Sequence, residues 1–197
     1  MTTRLVSENP DDLVQAELDV RARIGDQPFD FGAMAAISNI YRAANVVRNH
    51  MEQKVLADHD LSWGAFTVMF VLWIWGEQQA RDLAAEAGVT KGTLTGILKT
   101  LESRGFVQRR PHGGDGRRVV VRLEGAGLRA IEDLFPRFNE QEAFASSGLT
   151  ADQQRDLAAL LRVLIRTVGS PAGRLADGPA ESPAESPAES PAGVDTR

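Results

Sequence analysis

Leu83-Ala84-Ala85-Glu86-Ala87-Gly88-Val89-Thr90-Lys91-Gly92-Thr93-Leu94-Thr95-Gly96-Ile97-Leu98-Lys99-Thr100-Leu101-Glu102-Ser103-Arg104-Gly105-Phe106-Val107 is the stretch that decides the fold. A helix-turn-helix needs a small residue where its first helix meets the second. It also needs a glycine that turns the chain at positive φ, and apolar side chains on the inner face of the second helix. Ala84 is the small contact and Gly88 the turn, while Val89, Leu94, Ile97 and Leu101 point inward. Thr90 caps the helix from Lys91 to Arg104, and Gly105 ends it.

The residues that follow switch to strand periodicity. Phe106-Val107-Gln108-Arg109-Arg110 and Arg118-Val119-Val120-Val121-Arg122-Leu123 read as two strands around the turn Pro111-His112-Gly113-Gly114-Asp115-Gly116. A helix-turn-helix followed directly by a hairpin is the layout of a winged helix. An ordinary helical hairpin would pack its inner face in the same way, so the outer face has to discriminate. Lys91, Thr93, Thr95, Lys99 and Ser103 bring cations and short polar groups, and Gly92 and Gly96 allow a close approach. Only Glu102 is acidic, whereas a merely solvated face usually alternates Glu and Lys at i,i+4. Such a face suits phosphates and base edges, including the thymine methyl for threonine. In Asp115-Gly116-Arg117-Arg118 two guanidiniums stand near the hairpin tip, where a narrow minor groove would attract them. Asp115 either holds Arg117 extended for that purpose or makes an ordinary exposed ion pair with it.

The charge distribution supports the same reading. The 197 residues carry 22 Lys+Arg and 27 Asp+Glu, a net −5. Between 88 and 122, however, eight cations face two carboxylates, a net +6, which leaves −11 for the rest. A basic block in an acidic chain is the footprint of a phosphate-binding module, although a basic solvated surface has the same composition. With no cysteine there is no disulfide, thiolate zinc site, iron–sulfur cluster or thiol switch. The first eight residues turn acidic before any apolar core, unlike a secretory signal. The longest apolar run, 63–75, is shorter than the roughly 20 residues a membrane span needs.

Outside the decisive stretch the chain is mostly helical. Asn9-Pro10-Asp11-Asp12 opens a helix over 10–24, within an N-terminal extension of residues 1–32. Ile37, Ile40, Ala44, Val47, Met51 and Val55 form one seam, predicting a long amphipathic helix from Ala33 to about Asp58. Ser62 begins an all-round apolar helix to Trp75, and a short helix spans about 80–87. Helix 124–145 should kink at Pro136, and Thr150 caps the last helix, which ends at Gly169. From there the sequence falls to Gly, Pro, Ala, Ser and Glu, with Ala-Glu-Ser-Pro three times, predicting an acidic disordered tail over 169–197. The fold class is therefore mainly α with a small β-hairpin wing. The winged helix-turn-helix occupies about 61–123, inside a domain of 33–168.

From about Met34 to Val168 the chain resembles the MarR family of bacterial transcriptional regulators. The resemblance rests on Leu83-Ala84, Gly88-Val89-Thr90, Leu101 to Arg109, and above all Asp115-Gly116-Arg117-Arg118-Val119. It implies an interlocked helical homodimer on a pseudo-palindromic double-stranded DNA operator, joined through 33–58 and 124–168. It also implies that Thr90, Lys91, Gly92, Thr93, Thr95 and Lys99 meet the major groove. Arg117 takes the minor groove with Asp115 as support, and Arg118 lies alongside. The sequence departs from the family at Glu124-Gly125-Ala126-Gly127, where the family has a Thr-containing helix start, and in the added helix 10–24.

MarR-like regulators often take a small aromatic effector near the junction of dimer helices and DNA-binding lobe. Arg42, His59, Trp63, Phe66, Met69 and Phe70 are the candidates there, against the reading of the aromatics as core packing. Residues 1–36 contain no Trp, unlike the subfamily that senses urate. His50, His59 and His112 form no metal-ligand spacing, so neither metal nor cofactor is expected. No nucleophile elbow, phosphate loop or carboxylate pair suggests an enzyme. The expected function is a cytoplasmic, nucleoid-associated repressor released by an effector, the alternative being a winged-helix protein-interaction module.

Overall fold

The computed structural model describes residues 10–112 and 115–169. The expected tail, the first nine residues and Gly113-Gly114 at the hairpin tip lie outside the described residues. The chain divides into two units between Ser146 and Ser147.

Helix α1 (Pro10–Ile24) is followed by α2 (Phe31–Met51), which begins two residues earlier than its apolar seam suggests. The reason is Asp30, whose carboxylate accepts from Ala33 N at 2.9 Å and fixes the first turn. The expected helical run to about Asp58 is present and reaches His59, although it is not regular α-helix throughout. α2 gives way to a π-turn (Glu52–Leu56) and a 3₁₀ turn (Ala57–His59). The wider turn keeps the neighbours Val55 and Leu56 both inward with Met51, and all three are buried. Asp60 then turns the chain at φ 51°, and the following helix leaves at 76° to the first.

Helix α3 (Trp63–Trp75), capped by Ser62 on Ala65 N, is the centre of the core. Ala65, Phe66, Val68, Met69, Val71 and Leu72 are all buried, as an all-round apolar helix requires. No single helix among the described residues is long and apolar enough to cross a membrane. Two residues, Gln78–Gln79, form strand β1, then come α4 (Ala80–Glu86) and α5 (Lys91–Ser103). Gly88 makes the turn between them at φ 63°, where any Cβ would be strained.

The expected strands 106–110 and 118–123 are longer in the structure, as β2 (Val107–His112) and β3 (Asp115–Leu123). Their antiparallel register runs from Val107↔Leu123 to His112↔Asp115, with an irregularity at Pro111/His112. Pairing thus consumes most of the segment expected to be turn. The wing is also not a bare hairpin. β1 pairs with Val120 and Val121 of β3, giving a three-stranded sheet in the order β1-β3-β2. Two glutamines carry no alternation, so this strand leaves no periodic signal in the sequence.

Helix α6 (Gly125–Ala145) contains Pro136 without being broken into two helices. Ile131, Leu134 and Phe138 are buried on both sides of the proline, and that packing outweighs the one lost backbone bond. The core thus joins α3, the buried faces of α4 and α5, Val107 and Val121 of the sheet, and α6. In the second unit α7 (Ala151–Gly169) starts with a reciprocal cap, Thr150 Oγ1 accepting from Gln153 N and Gln153 Oε1 from Thr150 N. It buries none of its residues.

Candidate nucleic-acid interface

The helix-turn-helix is held as the sequence implies, with one addition. Ala84, Leu94 and Leu101 are buried, whereas Val89 and Ile97 are half-buried. Leu98, which the spacing argument passes over, is buried with them. Stepping 100° per residue, the ridge directly opposite Leu94, Leu98 and Leu101 is Gly92, Gly96, Lys99 and Ser103. Thr93 and Thr95 flank it, Thr90 and Lys91 stand at the start of the helix nearer the buried side, and all eight are exposed.

The hydroxyls on this face are largely spent on their own helix. Thr90 Oγ1 accepts from Thr93 N at 3.1 Å and lies 2.8 Å from Thr93 Oγ1. Thr95 Oγ1 donates to Lys91 O at 2.9 Å, and Ser103 Oγ to Thr100 O at 2.8 Å. What Thr95 presents outward is therefore a methyl group and a lone pair, with Lys91 and Lys99 as the charged donors. Gly96 has no packing reason to be glycine, since an added Cβ would meet nothing within 4 Å. In a helix interior glycine costs about 0.5–1 kcal/mol relative to alanine. It lies on the outermost ridge, where it leaves the helix backbone open to approach.

The basic block is less free than its composition implies. Arg109 Nη2 meets Glu102 Oε2 at 2.5 Å, and Arg109 N donates to Glu102 Oε1 at 3.1 Å. Arg110 pairs with Glu77 at 2.5 Å, and Arg122 with Glu124 at 3.1 Å. Arg104 is bound to backbone carbonyls. These ties connect the base of the wing to α5 and to the end of α3. The side-chain hydrogen bond from Arg109 holds the Glu102 carboxyl below the ordinary carboxylate range, against a smaller opposing effect of burial. A carboxylate depressed in the folded state contributes stability above its ordinary titration range and loses it as pH falls through the folded value. Glu102→Gln should accordingly flatten the acid-side fall in the unfolding midpoint, measured by urea titrations across that interval.

The remaining wing candidates are placed by their backbone alone. Asp115, Arg117 and Arg118 lie on β3, Asp115 opposite His112, and their side chains lie outside the described residues. A cleft of about 780 Å³ opens beside α5, lined by Lys91, Leu94, Thr95 and Leu98 together with Arg81 and Arg109.

The structure divides the six effector candidates. Trp63, Phe66 and Phe70 are linked ring to ring at 6.2 and 5.9 Å. Phe66 also stacks on Phe138 of α6 at 4.1 Å, and Phe70 on Phe135 at 5.6 Å. Met69 is fully buried beside them. His59 offers its carbonyl to Arg104. Arg42 belongs to a separate cleft of about 290 Å³ between α1 and α2, where it lies 3.8 Å from Glu17. His50 Nε2 lies 2.7 Å from Gln141 Oε1, and no cluster of His, Asp or Glu suited to a metal occurs among the described residues.

Residues 61–119, from the entry of α3 into β3, match the profile of the MarR family. The HTH-type transcriptional regulator YwaE of Bacillus subtilis is 35% identical over 153 residues, covering 76% of this chain and 90% of YwaE. The transcriptional repressor YetL of the same organism is 30% identical over 112 residues, 55% of this chain and 66% of YetL. Among solved structures, Bordetella bronchiseptica BpsR superposes with a TM-score of 0.59 at 22% identity, covering 64% of this chain and 94% of BpsR. That structure concerns the regulation of BpsR's DNA binding by 6-hydroxynicotinic acid. These relatives are transcriptional regulators, not enzymes. A helix-turn-helix with a β-wing, matched by the family profile over its length and by a regulator across nine-tenths of that relative, places this chain in the MarR family of transcriptional regulators.

Proposed function

We propose that the chain is a homodimeric, sequence-specific DNA-binding regulator, acting as a cytoplasmic, nucleoid-bound repressor that a small aromatic effector releases. The observation that carries this reading is the exposed outer ridge of α5, where Gly96, whose added Cβ would meet nothing within 4 Å, stands beside Lys99. On this reading α5 enters the major groove with Thr90, Lys91, Gly92, Thr93, Thr95 and Lys99. Arg117 enters the minor groove with Asp115 behind it and Arg118 alongside. The spent hydroxyl of Thr95 favours contact with a thymine methyl over donation to a base. Exposed Ile37, Tyr41, Val46 and Val47 on α2 support a second copy as partner for the helices of 33–58 and 124–168. The extension 1–32 and the tail 169–197 stand outside the domain 33–168 and its winged helix-turn-helix, about 61–123. The repressor YetL supports the direction of regulation, and BpsR supports a small aromatic acid as effector.

Selection of genomic fragments by the purified full-length protein tests the reading. A pseudo-palindrome with half-sites about 10 bp apart should be enriched, with affinity falling steeply as salt rises. If no fragment outcompetes random DNA at moderate salt, the winged helix is a protein-interaction module instead. Gly96→Ala separates the interface from ordinary surface. It should raise stability by roughly 0.5–1 kcal/mol in thermal unfolding while weakening binding to the selected fragment. A variant that gains stability and keeps full affinity removes Gly96 from the interface.

A further inference from the structure

Segment 52–60, between α2 and α3, is held from two sides by guanidiniums. Arg104, the C-cap of α5, donates from Nη1 to Asp60 O and from Nη2 to His59 O, both at 2.8 Å. Its guanidinium also lies over the Phe106 ring, 4.4 Å from the centroid. Arg137, on α6, donates from Nη1 to Asp58 Oδ2 at 3.0 Å and from Nη2 to Lys54 O at 3.2 Å. Between them the backbone runs through the π-turn, the 3₁₀ turn and Asp60 at φ 51°, a conformation that non-glycine residues adopt at a cost. From the other end Glu52 Oε1 accepts from Trp63 N at 3.0 Å, tying this segment to the first turn of α3.

Each contact answers a local need. A π-turn and a 3₁₀ turn in succession leave carbonyls without helical partners, and a cation beside those carbonyls is favoured. The planar fork of arginine can satisfy two oxygens at once, which a lysine ammonium does less exactly. Their combined effect goes further than local satisfaction, because the two forks come from different elements. One belongs to the end of the helix that faces DNA, the other to the helix that follows the wing.

We infer that segment 52–60 is a junction through which α6 sets the pose of α5, with Arg104 the residue that positions the DNA-facing helix. The inference deepens the DNA-binding reading and rests on it for its functional consequence. Arg104 acts here through carbonyls and an aromatic ring and contacts no phosphate. Displacement of α6 by whatever binds near it shifts Lys54 O and Asp58, and through the same backbone the carbonyls that Arg104 holds.

Two measurements on the full-length protein decide it, and the first involves no DNA. In native-state hydrogen exchange, Arg104→Lys should speed exchange at residues 57–62 and across α5 several-fold. Arg137→Ala should speed exchange at 52–58 and also across α5, which Arg137 does not touch. Exchange in α5 unchanged by Arg137→Ala overturns the junction, whatever the protein binds. The second measurement titrates the selected fragment and random DNA with each variant. Arg104→Lys should lower the preference for the selected fragment about tenfold and leave the salt slope unaltered. Arg104→Ala and Arg137→Ala combined should lose less than the product of the single losses, as coupled sites do. A salt slope lower by about one, with selected and random DNA weakened equally, would make Arg104 a phosphate contact and overturn its positioning role. If wild type prefers no fragment, the DNA-binding reading fails, and the exchange experiment still decides the junction.

Discussion

Gly127→Ala should lower the unfolding free energy by about 3 kcal/mol or more, at or beyond the upper end of ordinary overpacking. Gly127 is buried in the first turns of α6, against the chain entering β2. An added Cβ would stand 2.1 Å from Phe106 O, 2.8 Å from its carbonyl carbon and 3.0 Å from its Cα. These are backbone atoms, and they cannot yield as a side-chain tip would. Phe106 O is further pinned by the hydrogen bond it accepts from Glu124 N at 2.9 Å. The methyl group must therefore push α6 off the sheet or break that bond. Domains are typically stable by roughly 5–15 kcal/mol, so such a loss consumes a large share of the total. Urea unfolding followed by circular dichroism reads the effect directly. Gly125→Ala is the control, because its Cβ would meet only the flexible Arg129 Nη1, at 3.5 Å. Equal midpoints for Gly127→Ala and wild type would show that α6 and β2 do not approach so closely.

Arg117→Ala should weaken binding to the selected fragment by about 10- to 100-fold, in line with roughly 1–3 kcal/mol for a well-placed arginine contact. Position 117 lies on β3 in the irregular stretch between the pairs His112↔Asp115 and Pro111↔Val119, three residues before the buried Val120. The substitution should thus leave the thermal midpoint near that of wild type. Fluorescence anisotropy titrations with fragments differing only in their flanks would add a second signature. A guanidinium in a narrow minor groove confers preference for A·T-rich flanks, and that preference should disappear with it. Affinity unaltered by the substitution would take the wing out of the interface, leaving α5 to act alone.

The parts of this fold that were legible in the sequence are those fixed within a few residues of one another. Thr90 before Lys91, Gly88 and Gly105 in their turns, and the apolar spacing of Leu94 and Leu101 all act locally. Ala84 and Gly88 needed only to stand seven and three residues before a helix whose inner face its own apolar spacing marks. What escaped notice depended on distant partners. The inward turn of Leu56 is set by the core it enters, and β1 exists only because β3 offers it a free edge. Helix α6 is continuous through Pro136, with residues buried on both sides of it. The interface follows the same division. The outward residues of α5 came from helical spacing, whereas the carboxylates that occupy Arg109, Arg110 and Arg122 lie across turns or on other elements. A count of charges in a window could not reveal that pairing. On the proposed function, the cations free to meet DNA are consequently fewer than the block suggests, and Lys91 and Lys99 would carry more of the role.

Because β3 lies between β1 and β2, the long strand left with an open side is β2. That strand carries Arg109, Arg110 and Pro111 in succession, all exposed. An unpaired edge is a template on which another extended chain can add itself. A proline offers an incoming strand no N–H, and the two arginines, each tied to a carboxylate, keep that edge polar. The arginines that tie the wing to α5 and α3, with the proline beside them, thus make its open edge a poor template for a further strand.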